Sequence, residues 1–430
     1  MRRLLRATFV GLSLAAVVLG AAVQAAALEG RSIPIASSGA PGQPSVAVDP
    51  GEGFVVTWQE RDGDTAALRY AVISTQGVET RRGSIATGAN WFVNWADFPS
   101  LVVLDNGDWV THWLARSAGG AESYDIRLVR SRDRGRTWSA PIIPHLDGTA
   151  TQHGFVSLVP AGGDRVLVIW LDGRRGAKPV DTAGHDDKGH DGAGGHDEHE
   201  SPMTLRSAVI DRAGMLSEET EIDASTCSCC QTDAARFAGH TVVAYRDRSP
   251  EEIRDISVLS RNAKGEWSAP RNLHPDGWRI EGCPVNGPAV AVNRQQMLVV
   301  WTTAATGEME AKYTIREWDR PGAAMLLAPG SRMRGRLDAA PWRAGFLISW
   351  LGSGSGVEAG TATKFSGLML TEVDAAGRIV AQRNVANLPL TRVSGNPRMA
   401  THRGQTLLVW AEPPGEDRSA SLVAELISSR

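Results

Sequence analysis

The sequence predicts an all-β protein, a seven-bladed β-propeller of four-stranded blades. Three observations predict it. Apolar runs ending in an aromatic residue recur seven times along the chain. Short apolar segments flank each run, separated by Gly, Asp and Pro. The last unit supplies only three strands, and an unpaired segment near the start of the chain can supply the fourth.

The runs end at Trp58, Trp113, Trp170, Tyr245, Trp301, Trp350 and Trp410, at intervals of 55, 57, 75, 56, 49 and 60 residues. A fixed period of this length marks a repeat architecture in which each unit buries its faces only against its neighbours. A companion segment lies about a dozen residues upstream of a run, as in 44–48, 99–103 and 288–292. A third strand follows the aromatic, as in 68–73, and then a hairpin turn and a fourth. Turn residues bound each block, and no sustained helical period appears after the first 27 residues. A β-helix or a pair of sandwiches would also use many short strands, but the closing arithmetic favours a ring. Residues 32–35 can pair with the last unit around Met399, Leu408 and Val423, which removes two exposed edges.

Residues 1–27 read as a secretory signal. Arg2, Arg3 and Arg6 precede an apolar stretch from Thr8 to Ala22, and Ala25-Ala26-Ala27 offers small residues for cleavage. Residues 28–430 are then one propeller domain, periplasmic or secreted, with a flexible insertion at 181–201. No later stretch is apolar enough to span a bilayer as a helix. The net charge of −3 argues against a nucleic-acid partner, which requires a basic face.

Ser131-Arg132-Asp133-Arg134-Gly135-Arg136-Thr137-Trp138 fits S-x-D-x-G-x-x-W, and Ser260 to Trp267 is a degenerate copy in phase with the repeat. Asp or Asn can cap its own turn, Gly permits a positive φ, and Trp packs back on the hairpin. The motif resembles the Asp-box, or BNR repeat, of the sialidase superfamily. That resemblance implies a propeller over the whole mature chain, with the box on the face opposite the usual site. Sialidases are typically six-bladed, which makes six blades the alternative fold. The resemblance also implies an arginine triad, a Tyr–Glu pair and an Asp acid. These do not transfer residue by residue. In Arg31-Ser32-Ile33-Pro34 a Ser separates Arg from Ile-Pro, which turns the Arg to the other face of a strand. None of the four tyrosines stands out as a nucleophile. If the chain were a hydrolase, Asp172, Asp247, Arg174 and Arg248, just past the aromatic positions, would do general acid/base and binding work at the channel mouth.

The phase of the repeat brings another set together. Cys227, Cys229 and Cys230 precede the first strand of the fourth unit, Cys283 that of the fifth, and His153 that of the third. All occupy inter-blade loops that open on one rim of the channel. Residues 183–200 add His185, His190, His196 and His199 among Asp, Glu and Gly, between the second and third strands of the third unit. That composition cannot form a core and suits metal capture. Several thiolates near imidazole suit Cu(I) first and Zn(II) second. Structural disulfides and a redox-active thiol are the competing readings of the cysteines. Gln231, Thr232 and Asn286 are expected to orient the ligands. The remaining histidines, His112, His145, His240, His274 and His402, are expected to be structural or at the surface.

The function expected from these readings is an exported metal-binding propeller, holding copper, with zinc as the alternative, in metal sequestration, delivery or tolerance. Its partners would be the metal ion and a periplasmic protein. A sialidase-like glycoside hydrolase and a protein-binding scaffold are the alternatives.

Overall fold

The structure is a computed structural model that describes residues 28–118, 123–177, 202–317, 322–358, 361–415 and 419–429. Residues 1–27, expected to be a secretory signal, and the His-rich insertion at 181–201 lie outside the described residues. Seven antiparallel sheets follow one another along the chain. Blade 1 is Ala40–Asp49, Gly53–Asp62, Thr65–Ile73 and Glu79–Ala89. Blade 2 is Leu101–Val103, Trp109–Arg116 and Tyr124–Ser131, its fourth strand reduced to a bridge between Leu128 and Ile142. Blade 3 is His153–Pro160, Val166–Asp172, Met203–Ile210 and Leu216–Thr226. Blade 4 is Asp233–Phe237, His240–Arg246, Ile256–Arg261 and Arg271–Asn272. Blade 5 is Ala289–Val292, Met297–Thr303, Glu310–Arg316 and Met325–Leu326. Blade 6 is Arg332–Trp342, Gly345–Glu358, Thr361–Val373 and Ile379–Asn387.

Blade 7 joins the two ends of the described chain. Arg398–His402, Gln405–Glu412 and Ser421–Ser428 are followed in space by Gly30–Ile35, which pairs with the last strand from Gly30↔Ile427 to Ile35↔Leu422. The ring therefore closes as the arithmetic of the repeat requires.

The repeat has a packing explanation. Seven hydrophobic clusters fill the molecule, each spanning two neighbouring blades. The second strand of each blade is buried on both faces, so its apolar run is continuous rather than alternating. In blade 1, Phe54, Val56 and Trp58 pack against blade 7, while Val55 packs against blade 2. Each cluster takes one repeat aromatic, wedged against the preceding blade: Trp301 against blade 4, Trp350 against blade 5, Trp410 against blade 6. Truncating one to Ala would cost about 3–5 kcal/mol.

Polar latches tie the inner strands together around the channel. Asp97, just before blade 2, accepts the Phe155 N–H of blade 3 at 2.9 Å. Asp233 accepts the Val290 N–H of blade 5 at 2.7 Å, and Asp338 the Met399 N–H of blade 7 at 2.6 Å. A 220 Å³ cavity in the channel is lined by Asp97, Phe155, Gln231, Asp233 and Arg398, among others. Antiparallel order places two sets of turns, second-to-third strand and blade-to-blade, on one face, the mouth. The Asp-box turns lie on the other.

Candidate functional site

The cysteine loop is held at both ends. Thr226 bridges to Asp247 of blade 4, and the Cys227 N–H donates to the Arg246 carbonyl at 3.0 Å. After Cys230, Gln231 spans two neighbours: its Nε2 donates to the Ala96 carbonyl at 2.5 Å, and its Oε1 accepts the Gly287 N–H at 3.0 Å. Thr232 donates to the Phe155 carbonyl at 2.9 Å and shares a hydrogen bond with Ser157 at 2.8 Å. Gly287 is required here, because a Cβ would lie 2.0 Å from the Gln231 carbonyl oxygen.

These anchors gather the sulfurs. Cys227 Sγ is 3.7 Å from Cys229 Sγ and 3.6 Å from Cys230 Sγ. Cys283, from the next inter-blade loop, hydrogen-bonds to Cys229. All four are free thiols; Cys227 and Cys230 are buried, and Cys229 and Cys283 are half-buried. Arg254 Nη1, from the turn between the second and third strands of blade 4, lies 3.4 Å from Cys227 Sγ. Hydrogen bonds with Cys229 and Cys230, and the charges of Arg254 and Arg246, hold Cys227 well below the usual thiol range against burial. Cys227 is thus the sulfur of the cluster that ionises most readily. Burial pushes Cys230 up to about 12, and its hydrogen bond to Cys227 pushes Cys229 up as well.

Two arginines frame this cluster. Arg246 is 2 % exposed and donates to the carbonyls of Asn286, Arg254 and Thr302, at 2.9, 2.6 and 2.9 Å. Its guanidinium stacks over Trp278 at 4.8 Å. Glu252 anchors Arg254 at 2.7 Å and Arg248 at 2.7 Å. The hydrogen bonds of Gln231, Thr232 and Asn286 go to backbone and hydroxyl groups, not to sulfur. They fix the loop rather than the thiolates. Sequence reasoning missed Arg246 and Arg254. The arginine after the repeat aromatic was the available signal, since only blade 4 carries a cation there.

His153 belongs to a different cluster on the same face. It opens the inner strand of blade 3, fully buried, with its ring stacked on His145 at 3.7 Å and 3°. Asp147 Oδ1 lies 3.3 Å and Asp172 Oδ2 3.8 Å from its Nε2, and Asp125 Oδ1 lies 4.0 Å from its Nδ1. Burial and His145 hold the imidazole below its ordinary pKa against these carboxylates, so the ring is neutral near pH 7. Asp147 stays ionised: burial opposes this, but nearby His145, the hydrogen bond from Thr149 and the charge of Arg174 outweigh it. His145, expected to be structural or at the surface, is buried and holds Asp147. Asp125 and Asp147 carried no signal except the phase of their loops.

The acid/base candidates fall into two environments. Asp172 accepts the Trp170 indole N–H at 2.7 Å and pairs with Arg174 at 2.8 Å. Burial opposes its ionisation, but Arg174 and its other partners hold it ionised. The same arrangement recurs at Glu60, which accepts the Trp58 indole at 2.8 Å. Asp247 is pushed up by burial and by Asp223, although it accepts hydrogen bonds from Ser257 at 2.8 Å and the Arg248 N–H at 2.7 Å. Tyr245 donates to Asp223, Tyr70 to the Gly135 carbonyl at 3.0 Å, and Tyr313 to the Gly377 carbonyl at 2.7 Å. Tyr124 stacks on Phe92 at 4.0 Å. All four tyrosines serve packing. Arg31 is exposed on the outermost strand of blade 7, away from the channel. Among the described residues no helix is long and apolar enough to cross a membrane.

No protein-family model and no curated protein matches the chain. Solved structures match in fold. A protein of unknown function from Dyadobacter fermentans superposes with a TM-score of 0.52 at 10% identity, over 94% of this chain and 99% of that one. A polysaccharide lyase superposes with a TM-score of 0.51 at 9% identity, over 92% of each chain. A Hadza microbial sialidase gives 0.43 at 14% identity, over 85% of this chain and 74% of its own. At such identities the likeness is one of architecture: the chain is a seven-bladed β-propeller, and its chemistry has to be argued from its own residues.

Proposed function

We propose that the chain is an exported metal-binding propeller that holds Cu(I) on Cys227, Cys229 and Cys230, with Cys283 as a further donor, for metal sequestration, delivery or tolerance. What supports this is the meeting of free sulfurs from two inter-blade loops beside the buried Cys227 sulfur. Their spacing fits a shared ion. With metal–sulfur bonds of about 2.3 Å, tetrahedral ligands sit about 3.8 Å apart, against 3.7 and 3.6 Å here. Soft thiolates select Cu(I) over harder cations, with Zn(II) as the second choice. Three thiolates around a monovalent ion leave excess negative charge, and Arg254 and Arg246 offset it.

The competing state is a disulfide. It would require two sulfurs to close to about 2.05 Å. His185, His190, His196 and His199 would gather ions near the mouth and pass them inward, and the segment 1–27 would direct export.

The test is a titration of reduced, mature protein with Cu(I) under anaerobic conditions, against a chromogenic Cu(I) chelator. The wild type should withdraw copper from the chelator, and Cys229→Ser and Cys283→Ser should lose most of that capacity. Equal uptake by all three proteins would exclude the thiolate site.

A further inference from the structure

The mouth of blade 3 holds a second group of donors of a different chemical kind, and it does not depend on the thiolate reading. His153 is 0% exposed, and among the described residues neither of its ring nitrogens makes a hydrogen bond. A buried imidazole without partners is costly, because its lone pair and N–H have both left water for nothing in return. Carboxylates do lie nearby, but off the hydrogen-bonding axis. Asp147 Oδ1 is 3.3 Å and Asp172 Oδ2 3.8 Å from Nε2. The three residues come from three different segments: an inter-blade loop, the start of the inner strand and the end of the second strand.

We propose that His153 Nε2, Asp147 and Asp172 form a site for a divalent cation of the zinc type. Ligand atoms bonded at about 2.0–2.2 Å to one ion sit roughly 3.0–3.5 Å apart, whether tetrahedral or octahedral. The spacing around His153 is of that order, slightly wide at Asp172. One imidazole and two carboxylates suit a borderline divalent ion and not Cu(I).

The surroundings act as an orienting layer. His145 Nε2 accepts the Ile126 N–H at 3.3 Å, which fixes the tautomer and turns its Nδ1–H toward Asp147. Thr149 holds the other oxygen of Asp147. Trp170 donates to Asp172 Oδ2, the oxygen that faces His153, at 2.7 Å and leaves it a second lone pair. Arg174 competes with a cation for the same oxygens, 2.8 Å from Asp172 and 3.6 Å from Asp147. Its side chain is 19% exposed and sits on a three-residue turn, so it has room to leave.

The test uses Zn(II) and Co(II) alone as probes. Wild-type protein with its thiols alkylated should still bind about one Zn(II), and His153→Gln and Asp147→Asn should each lose it. Arg174→Met should bind at least as tightly as wild type. In the alkylated protein, Co(II) should give a ligand-field spectrum with no thiolate charge-transfer band, a readout that needs no variant to fold. Cu(I) uptake by the cysteines should be unchanged in His153→Gln, so failure of one site is separable from failure of the other. Absence of Zn(II) and Co(II) binding once the thiols are alkylated would overturn the proposal, as would unchanged binding in both ligand variants.

Discussion

The Asp-box turn of blade 2 and the cysteine loop before blade 4 are both short turns, on opposite faces of the ring, and they treat their polar groups differently. In the Asp-box, Ser131 Oγ accepts the Gly135 N–H at 2.7 Å, and Asp133 accepts the Thr137 N–H and hydroxyl at 2.8 and 2.6 Å. Trp138 packs on Tyr70. The polar groups of Ser131, Asp133, Gly135 and Thr137 find their partners within the turn. The cysteine loop anchors its ends to three other blades and leaves its sulfurs facing one another. The contrast separates a turn that builds the fold from one that holds chemistry: the first satisfies itself, the second is satisfied from outside and keeps reactive atoms free.

That contrast can be broken most sharply at the sulfurs. Cys229→Ser should abolish most metal binding while leaving the midpoint of chemical denaturation of the metal-free protein nearly unchanged. A large loss of stability without loss of metal would reverse the assignment.

The next effect lies at the mouth, beneath the loop. Burial pushes Asp97 up to about 7. Its folded pKa stands above the unfolded value of about 3.9, so its contribution to stability is present below about pH 4 and is lost as pH rises through 7. The loss can reach about 4 kcal/mol as an upper limit. Asp97→Asn keeps the acceptor for Phe155 and removes the charge. Urea unfolding at pH 5 and pH 8 should then give a smaller difference for Asp97→Asn than for wild type.

A third effect tests the thiolate. Replacing Arg254 by Gln removes the charge 3.4 Å from Cys227. The pKa of Cys227 should rise, and each unit of rise lowers the thiolate fraction, and with it the alkylation rate, by about tenfold where the thiol form dominates. An unchanged rate measured on metal-free protein would mean that Arg254 does not hold the thiolate. The smallest effect is on the other face. Ser131→Ala should cost about 1 kcal/mol through the lost turn hydrogen bonds, with metal content unaltered.

The fold was legible because one aromatic per period must fill each inter-blade core, and Trp58 through Trp410 occupy one cluster each. The closing strand was legible for a related reason: Ile33 and Ile35 need a core, and the last unit lacked a strand. The meeting of Cys283 with Cys229 followed from the shared phase of their loops. Phase fixes the face and the radius of a residue but not its neighbour around the ring. For that reason His153, expected beside the cysteines, is grouped with His145, Asp147 and Asp172 instead. Arg246 and Arg254 escaped notice because their role depends on side-chain direction, which a repeat period does not carry.

A soft-metal site on the mouth of the propeller is the proposal to test first. The most direct measurement is the metal content and free-thiol count of mature protein taken from the periplasm without added metal. Near-stoichiometric copper, with cysteines that react with thiol reagents only after the metal is removed, is the result expected. Metal-free protein with no reactive thiols, before or after chelation, would contradict the account and make the four cysteines disulfides.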